Sequence, residues 1–323
     1  MTVKSSLLSS LKHKPVQRLG HVQRWMSVRP EQSSLPTQRK KVTIQHLHQL
    51  RKTGTPITML TAYDFPTGRA CESHNIDVAL VGDSLAQVCL GYDSTTRLTL
   101  EEMLHHCRAV ARGSKSPFLV ADMPFGTYHT SIEDAVRNAT RLVSEGGVEG
   151  VKIEGGTEVI DVVRRLTNVG IPVMAHVGLL PQRHTMFSGY KVQGKDARSA
   201  AAIVESALAL EEAGAFAIVL EAIPHRLGSY ITSRMRHAPT IGIGAGAQTN
   251  GQVLVWDDML GTWSGHKAKF ARRFGDVRSE IERGVKGYTE AVRERTFPSL
   301  QESYEMPSEE WEKFLHLAEA GTA

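Results

Sequence analysis

From about residue 42 onward, one alternation of apolar and polar positions recurs along the chain. A short, nearly continuous apolar run, rich in β-branched residues, ends in a polar or acidic residue. A longer segment follows in which apolar residues return at helical spacing. The runs are Ile57–Asp64, Val78–Ser84, Phe118–Pro124, Gly150–Gly156, Pro172–Gly178, Phe216–Ile223, Thr240–Gly246 and a weaker one, Val253–Asp257. Between them the spacing predicts helices over Thr99–Arg112, Ser131–Glu145, Thr157–Leu166 and Ala197–Ala213. Thr99 followed three residues on by Glu102 has the form of a capping box, and Ser131 with Asp134 repeats it with a shorter acid.

Strands that are apolar throughout, alternating with amphipathic helices, imply a parallel sheet covered by helices. Roughly eight such units in about 250 residues fit a (β/α)8 barrel. The rival architecture, an open doubly wound sheet, usually shows a G-x-G-x-x-G turn after its first strand. Here that strand ends Tyr63-Asp64-Phe65-Pro66. The glycine-rich turn Gly242–Gly246 arrives only at the seventh run and leads into Gln248–Gly251, which is not a helix start, so it is a weak match to a dinucleotide site. Thr43–Lys52 reads as a helix ahead of the first strand, placed to plug the bottom of a barrel. Beyond about Thr296 the composition turns irregular, with a short final helix near Glu309–Ala320. The expected organisation is a leader over 1–41, a barrel over 42–300 and a tail over 301–323.

Composition changes this picture at one end only. Hydrophobic residues are 41% of the 323 and charged residues 22%, values of a globular chain with a sizeable core. No apolar run approaches the ~20 residues that span a bilayer, and no membrane partner is expected. The net charge of +4 is concentrated in the leader, where Lys4, Lys12, Lys14, Arg18, Arg24 and Arg29 all precede the first acid, Glu31. Ser5, Ser6, Ser9 and Ser10 lie among them, and the combination reads as a mitochondrial transit peptide cleaved near Trp25–Ser27. A disordered basic tail or a nucleic-acid-binding arm has the same composition. The rest of the chain is close to balanced, so no nucleic-acid partner is expected there. Cys71, Cys89 and Cys107 are odd in number and fit no zinc spacing, which predicts buried free thiols in a reducing compartment.

In a barrel the active site lies at the C-terminal ends of the strands. Those ends carry Asp64, Asp83 with Ser84, Asp122, Lys152 with Glu154, His176 and Glu221. Asp83, Asp122 and Glu154 come from consecutive strands, which lie about 4.8 Å apart, so the three carboxylates can reach one cation directly or through water. Oxygen-only ligation favours Mg²⁺, with Mn²⁺ also suitable. The plain alternative is that each acid caps a helix or pairs with a lysine. Lys152 and Glu154, two apart, face the same way on a strand, which suits a cation for a substrate anion beside a metal carboxylate; a simple ion pair is the other reading. Glu221 closes the apolar run Ala217–Leu220, and partial burial there suits a general base, against a carboxylate bonded to backbone. His176 can ligate metal, orient substrate or be structural.

Taken in order, these stretches resemble the ketopantoate hydroxymethyltransferase family. The strings are Leu60-Thr-Ala-Tyr-Asp64, Val81-Gly-Asp-Ser-Leu85, Ala121-Asp-Met-Pro-Phe125, Val151-Lys-Ile-Glu-Gly-Gly156, Gly189-Tyr-Lys-Val-Gln-Gly194, Leu220-Glu-Ala, Ile241-Gly-Ile-Gly-Ala-Gly246 and Gly251-Gln-Val-Leu-Val255. The resemblance implies a barrel of the phosphoenolpyruvate mutase/isocitrate lyase type. It implies transfer of a hydroxymethyl group from 5,10-methylenetetrahydrofolate to 3-methyl-2-oxobutanoate, the first committed step of pantothenate synthesis. It implies a Mg²⁺ site of Asp83, Asp122 and Glu154, the last acting through water. Ser84 and Lys152 would hold the substrate carboxylate, Glu221 would accept a proton, and the chain would assemble as a homodecamer.

Departures from the family pattern are Ala175 where glycine is common, Leu180 for threonine, Tyr92 for histidine, and a loosely matching segment after Pro298. Two other functions fit the same pattern less well. A Mg²⁺-dependent lyase or mutase acting on carbon–carbon bonds of 2-oxo acids often carries a catalytic cysteine in a gating loop, and no Lys-Lys-Cys-Gly-like stretch is present. A non-catalytic barrel scaffold predicts loss of at least one charged strand-end residue.

Overall fold

In a computed structural model of the chain, residues 39–262 and 267–321 are described. The expected leader lies almost wholly outside them. Eight strands pair in parallel, in chain order, and the last closes on the first. They are β1 (Ile57–Thr61), β2 (Val78–Val81), β3 (Phe118–Asp122), β4 (Gly150–Glu154), β5 (Val173–Gly178), β6 (Ala217–Glu221), β7 (Thr240–Ile243) and β8 (Gly251–Leu254). The helices are α1 (Ile44–Thr53), α2 (Phe65–Ser73), α3 (Leu85–Val88), α4 (Leu100–Gly113), α5 (Ile132–Ser144), α6 (Ile160–Asn168), α7 (Ala197–Glu212), α8 (His225–Arg234), α9 (Trp256–Leu260), α10 (Val277–Arg293) and α11 (Ser308–Ala320).

Strand residues are buried on both faces, which is why the runs read as continuous rather than alternating. On β3, Phe118 and Val120 point into the barrel with Met59, Met174 and Val219, while Leu119 and Ala121 pack outward against the helices. Val42 and Leu47 of the segment ahead of β1 belong to the interior cluster, so α1 stoppers the bottom of the barrel. Arg51 fastens that helix by donating to the carbonyls of Met235 at 2.7 Å and Arg236 at 2.9 Å.

Several boundaries differ from the sequence expectation. Hydrogen-bonded pairing stops where side chains must turn toward the mouth, so Asp83 and Ser84 lie past β2, in the turn into α3. β8 begins two residues earlier than its apolar run, and Asp257 falls in α9. Thr157–Leu166 divides into a 3-10 turn, Thr157–Val159, and α6. The Thr99–Glu102 box forms completely, with Glu102 accepting the Thr99 N–H at 2.8 Å and Thr99 accepting the Glu102 N–H at 3.2 Å. At Ser131 only the forward bond forms, at 3.1 Å, because Asp134 is one methylene too short to reach back. Cys71 and Cys107 are buried as expected, but Cys89 is exposed. It caps a four-residue helix whose buried residues, Leu85 and Ala86, are at the other end.

Among the described residues no helix is long and apolar enough to cross a membrane. The helix α10, which apolar spacing did not single out, has no buried residue. Its Ile281, Val285, Tyr288 and Val292 recur at intervals of three and four and are all exposed.

Candidate active site

Each candidate group reaches the mouth for a local reason. β3 and β4 are in register with Asp122 opposite Lys152, and β4 and β5 with Glu154 opposite His176. β5 and β6 place Gly178 opposite Glu221. Asp83 stands two residues beyond β2, and the glycine before it leaves room for Ser84 and Asp122. A Cβ at Gly82 would lie 3.0 Å from Ser84 Oγ and 3.6 Å from Asp122 Oδ2.

The result is a continuous row of charges across the mouth. The Asp83 N–H donates to Asp122 Oδ2 at 2.9 Å, and Lys152 Nζ lies 2.5 Å from Asp122 Oδ1. His176 Nδ1 is 3.6 Å from Glu154 Oε1, and His176 Nε2 is 3.2 Å from Glu221 Oε2. Asp122, Lys152, Glu154 and His176 are almost entirely buried, and only Glu221 keeps part of its carboxylate open. All of them, with Asp83 and Ser84, line one cavity of about 180 Å3. Asp64 does not; it accepts the Thr67 N–H at 2.9 Å and caps α2.

Burial on this scale disfavours charge, so the pairings decide protonation. Burial pushes the Asp83 carboxyl well above its usual range, and the neighbouring Asp122 and Glu154 push it further. For Lys152, burial opposes the charge, but Asp122, Glu154 and Asp83 hold it above the ordinary lysine value. Burial also opposes charge on Glu154, yet His176 and Lys152 keep its carboxyl below the usual range. His176 is pushed up to about 9, because Glu154 and Glu221 outweigh burial and the repulsion of Lys152.

Ala222, directly after Glu221, holds φ at +45°, a costly setting for a residue with a Cβ. Its N–H donates to Ile243 O at 2.8 Å and its carbonyl accepts from Gln193 N at 3.0 Å, which fixes the turn at the end of β6.

Three contributors carry no charge and were not singled out as site residues by the sequence pattern. Trp256 N–H donates to Thr61 Oγ1 at 2.8 Å, and Thr61 donates to Tyr63 Oη at 2.8 Å. With that proton on its oxygen, Tyr63 donates to Ser84 Oγ at 2.8 Å, which leaves the Ser84 proton for the cavity. Ser84 is thereby set as a donor, the polarity an anionic ligand needs. Gln182, the third, touches two of the three acids. It lies in the 3-10 turn Pro181–Arg183 after β5.

The donor set suits a hard divalent cation. Glu154 Oε1 is a buried oxygen without a hydrogen bond, 3.6 Å from His176 Nδ1, and Asp122 Oδ1 meets only the Lys152 ammonium. Among the described residues no group of three or more histidines, cysteines, aspartates or glutamates stands close enough together to hold a metal ion by itself. Mg²⁺ is commonly bound through one or two carboxylates, with water and substrate oxygens completing its coordination.

Comparison with known proteins decides the family. The family model described as ketopantoate hydroxymethyltransferase matches residues 41–300. The chain belongs to the ketopantoate hydroxymethyltransferase family. Family members similar to it include the 3-methyl-2-oxobutanoate hydroxymethyltransferase of Deinococcus radiodurans, 50% identical over 82% of this chain and 93% of that protein. The enzyme of the same name from Emericella nidulans is 47% identical over 85% of this chain and 79% of its own length. That from Clostridium novyi is 48% identical over 82% and 96%.

Solved structures that share this barrel fold include members of the phosphoenolpyruvate mutase/isocitrate lyase superfamily. Phosphonopyruvate hydrolase in complex with oxalate and Mg²⁺ matches with a TM-score of 0.53 at 14% identity, covering 80% of this chain and 92% of that one. Phosphoenolpyruvate phosphomutase from Streptomyces platensis subsp. rosaceus gives 0.54 at 14% identity, over 86% and 97%. A 2,3-dimethylmalate lyase, a member of that superfamily, gives 0.50 at 16% identity, over 86% and 96%. At such identities the likeness shows the fold alone. Membership of the hydroxymethyltransferase family favours that activity over the lyase or mutase alternative.

Proposed function

We propose that this protein transfers a hydroxymethyl group from 5,10-methylenetetrahydrofolate to 3-methyl-2-oxobutanoate, giving 2-dehydropantoate for pantothenate synthesis. The observation that carries this is the gathering of Asp83, Asp122, Lys152, Glu154 and Glu221 on one cavity, in a chain half identical to an enzyme named for that reaction. Asp83 and Asp122, with Glu154 through water, would hold Mg²⁺, which supplies Lewis-acid polarisation of the 2-oxo group. Lys152 neutralises the substrate carboxylate, whose charge otherwise opposes loss of a proton from C3. Ser84, already set as a donor, bonds the same carboxylate. His176 fixes the Glu221 carboxylate through the 3.2 Å contact, and Glu221 accepts the C3 proton. The carbon so freed attacks the one-carbon unit of the folate; its two bonds to folate nitrogen break, one replaced by the new carbon–carbon bond and one by the hydroxyl from water, and tetrahydrofolate leaves carrying the two protons. No covalent nucleophile is required, and none of the three cysteines lines the cavity.

The test is direct. Purified protein with 3-methyl-2-oxobutanoate, methylenetetrahydrofolate and Mg²⁺ is expected to form 2-dehydropantoate, with no product when either the folate or the metal is omitted. Turnover of phosphonopyruvate, isocitrate or methylisocitrate, with none on the oxo acid and folate, overturns the assignment.

The assembly belongs to the same proposal. The exposed apolar stripe of α10 suits contact with further copies of the chain, and the family resemblance points to a homodecamer. Val285→Glu combined with Tyr288→Glu is expected to reduce the sedimentation mass to smaller species. An unchanged mass removes α10 from the interface.

A further inference from the structure

Among the described residues, Gln182 is the one neutral side chain that hydrogen-bonds a carboxylate of the acid row. It is 4% exposed, and every polar atom of its side chain has a partner. Nε2 donates to Asp83 Oδ2 at 2.9 Å and to the Met123 carbonyl at 3.0 Å. Oε1 accepts from the Tyr128 hydroxyl at 2.7 Å, which sets the orientation of the amide. Its backbone N–H donates to Glu154 Oε2 at 3.0 Å. One residue thus ties down one oxygen of Asp83, after β2, and one of Glu154, at the end of β4. It does so from a loop after β5. That loop is itself anchored next door, where Arg183 Nη1 meets Glu158 Oε1 at 2.6 Å.

We propose that Gln182 is a positioning residue for the divalent cation: it clamps the rear oxygens of Asp83 and Glu154 so that their other oxygens face the ion. The inference rests on the metal reading given above. A neutral amide suits this task better than a lysine or arginine would. It satisfies the oxygens a carboxylate turns away from the ion without adding a positive charge that repels it. It also fixes the spacing of two acids that otherwise repel each other in the absence of the cation. Pro181, which opens the 3-10 turn, adds to the rigidity by fixing its own φ just ahead of the donating N–H. Groups that orient metal ligands in this way typically change metal affinity by about 10- to 100-fold when removed.

The test measures binding of Mn²⁺, a paramagnetic substitute for Mg²⁺, to the whole protein by electron paramagnetic resonance, without substrate or turnover. Gln182→Met keeps the length and the backbone donor but removes the amide, and is expected to weaken Mn²⁺ binding by about tenfold. The spectrum of the ion that still binds is expected to broaden, because Asp83 is no longer held in one orientation. Tyr128→Phe leaves the amide but removes the phenol that orients it, with an expected loss of about threefold, a smaller share of the same effect. This second variant decides the matter if Gln182→Met does not fold. Wild-type affinity and line shape in a folded variant overturn the proposal, whatever its melting temperature. Absence of Mn²⁺ binding to the wild-type protein instead overturns the metal reading itself.

Discussion

Glu221→Gln is expected to abolish exchange of the C3 hydrogen of 3-methyl-2-oxobutanoate with solvent while leaving metal binding intact. Removal of a general base costs about 10²- to 10⁴-fold in rate, or about 2.7 to 5.5 kcal/mol in the barrier. The substitution keeps the size and the neighbour of the side chain: Gln still meets His176 Nε2, which lies 3.2 Å from the native carboxylate. What it removes is the oxygen able to take a proton. Glu221 stands on β6, two strands away from the nearest metal carboxylate on β4, so loss of its charge acts on proton transfer rather than on the ion. Tritium release from C3-labelled oxo acid is the measurement, with and without folate. Release at the wild-type rate excludes Glu221 as the base.

Asp122→Asn carries the second large effect. Asp122 does two things at once, accepting the Asp83 N–H on Oδ2 and facing Lys152 Nζ with Oδ1. The amide can preserve the first bond but not the charge. Metal affinity is expected to fall about a hundredfold, about 2.8 kcal/mol at 1.4 kcal/mol per decade. Lys152 keeps Glu154 and Asp83 as neighbouring acids, so the fold is expected to survive. The Mg²⁺ concentration for half-maximal activity and a direct Mn²⁺ titration both report the change. A metal titration that overlays the wild type refutes direct ligation by Asp122.

The parts of this site that were legible in sequence share one property. Asp83, Asp122, Lys152, Glu154 and Glu221 are charges placed at the ends of apolar runs, and a buried charge needs a reason. Strand order then brought them to one mouth. The structure adds groups that no such rule singles out. Gln182 is uncharged and lies in a loop, 99 residues from the Asp83 it holds. Thr61 and Tyr63 look like ordinary strand-end residues until β2 brings Ser84 beside them. Cys89 read as buried because its neighbours are apolar, whereas the shortness of α3 leaves it outside. The stripe of α10 was present in the sequence, but its period does not say whether the face meets its own barrel or another surface.

The stopper at the bottom of the barrel governs traffic. Among the described residues, Leu47 and Val42 pack into the interior at the bottom of the barrel, and the cavity lies at the strand-end side. On the proposed reaction, a small oxo acid and a much larger folate would both have to reach the acid row from the strand-end side.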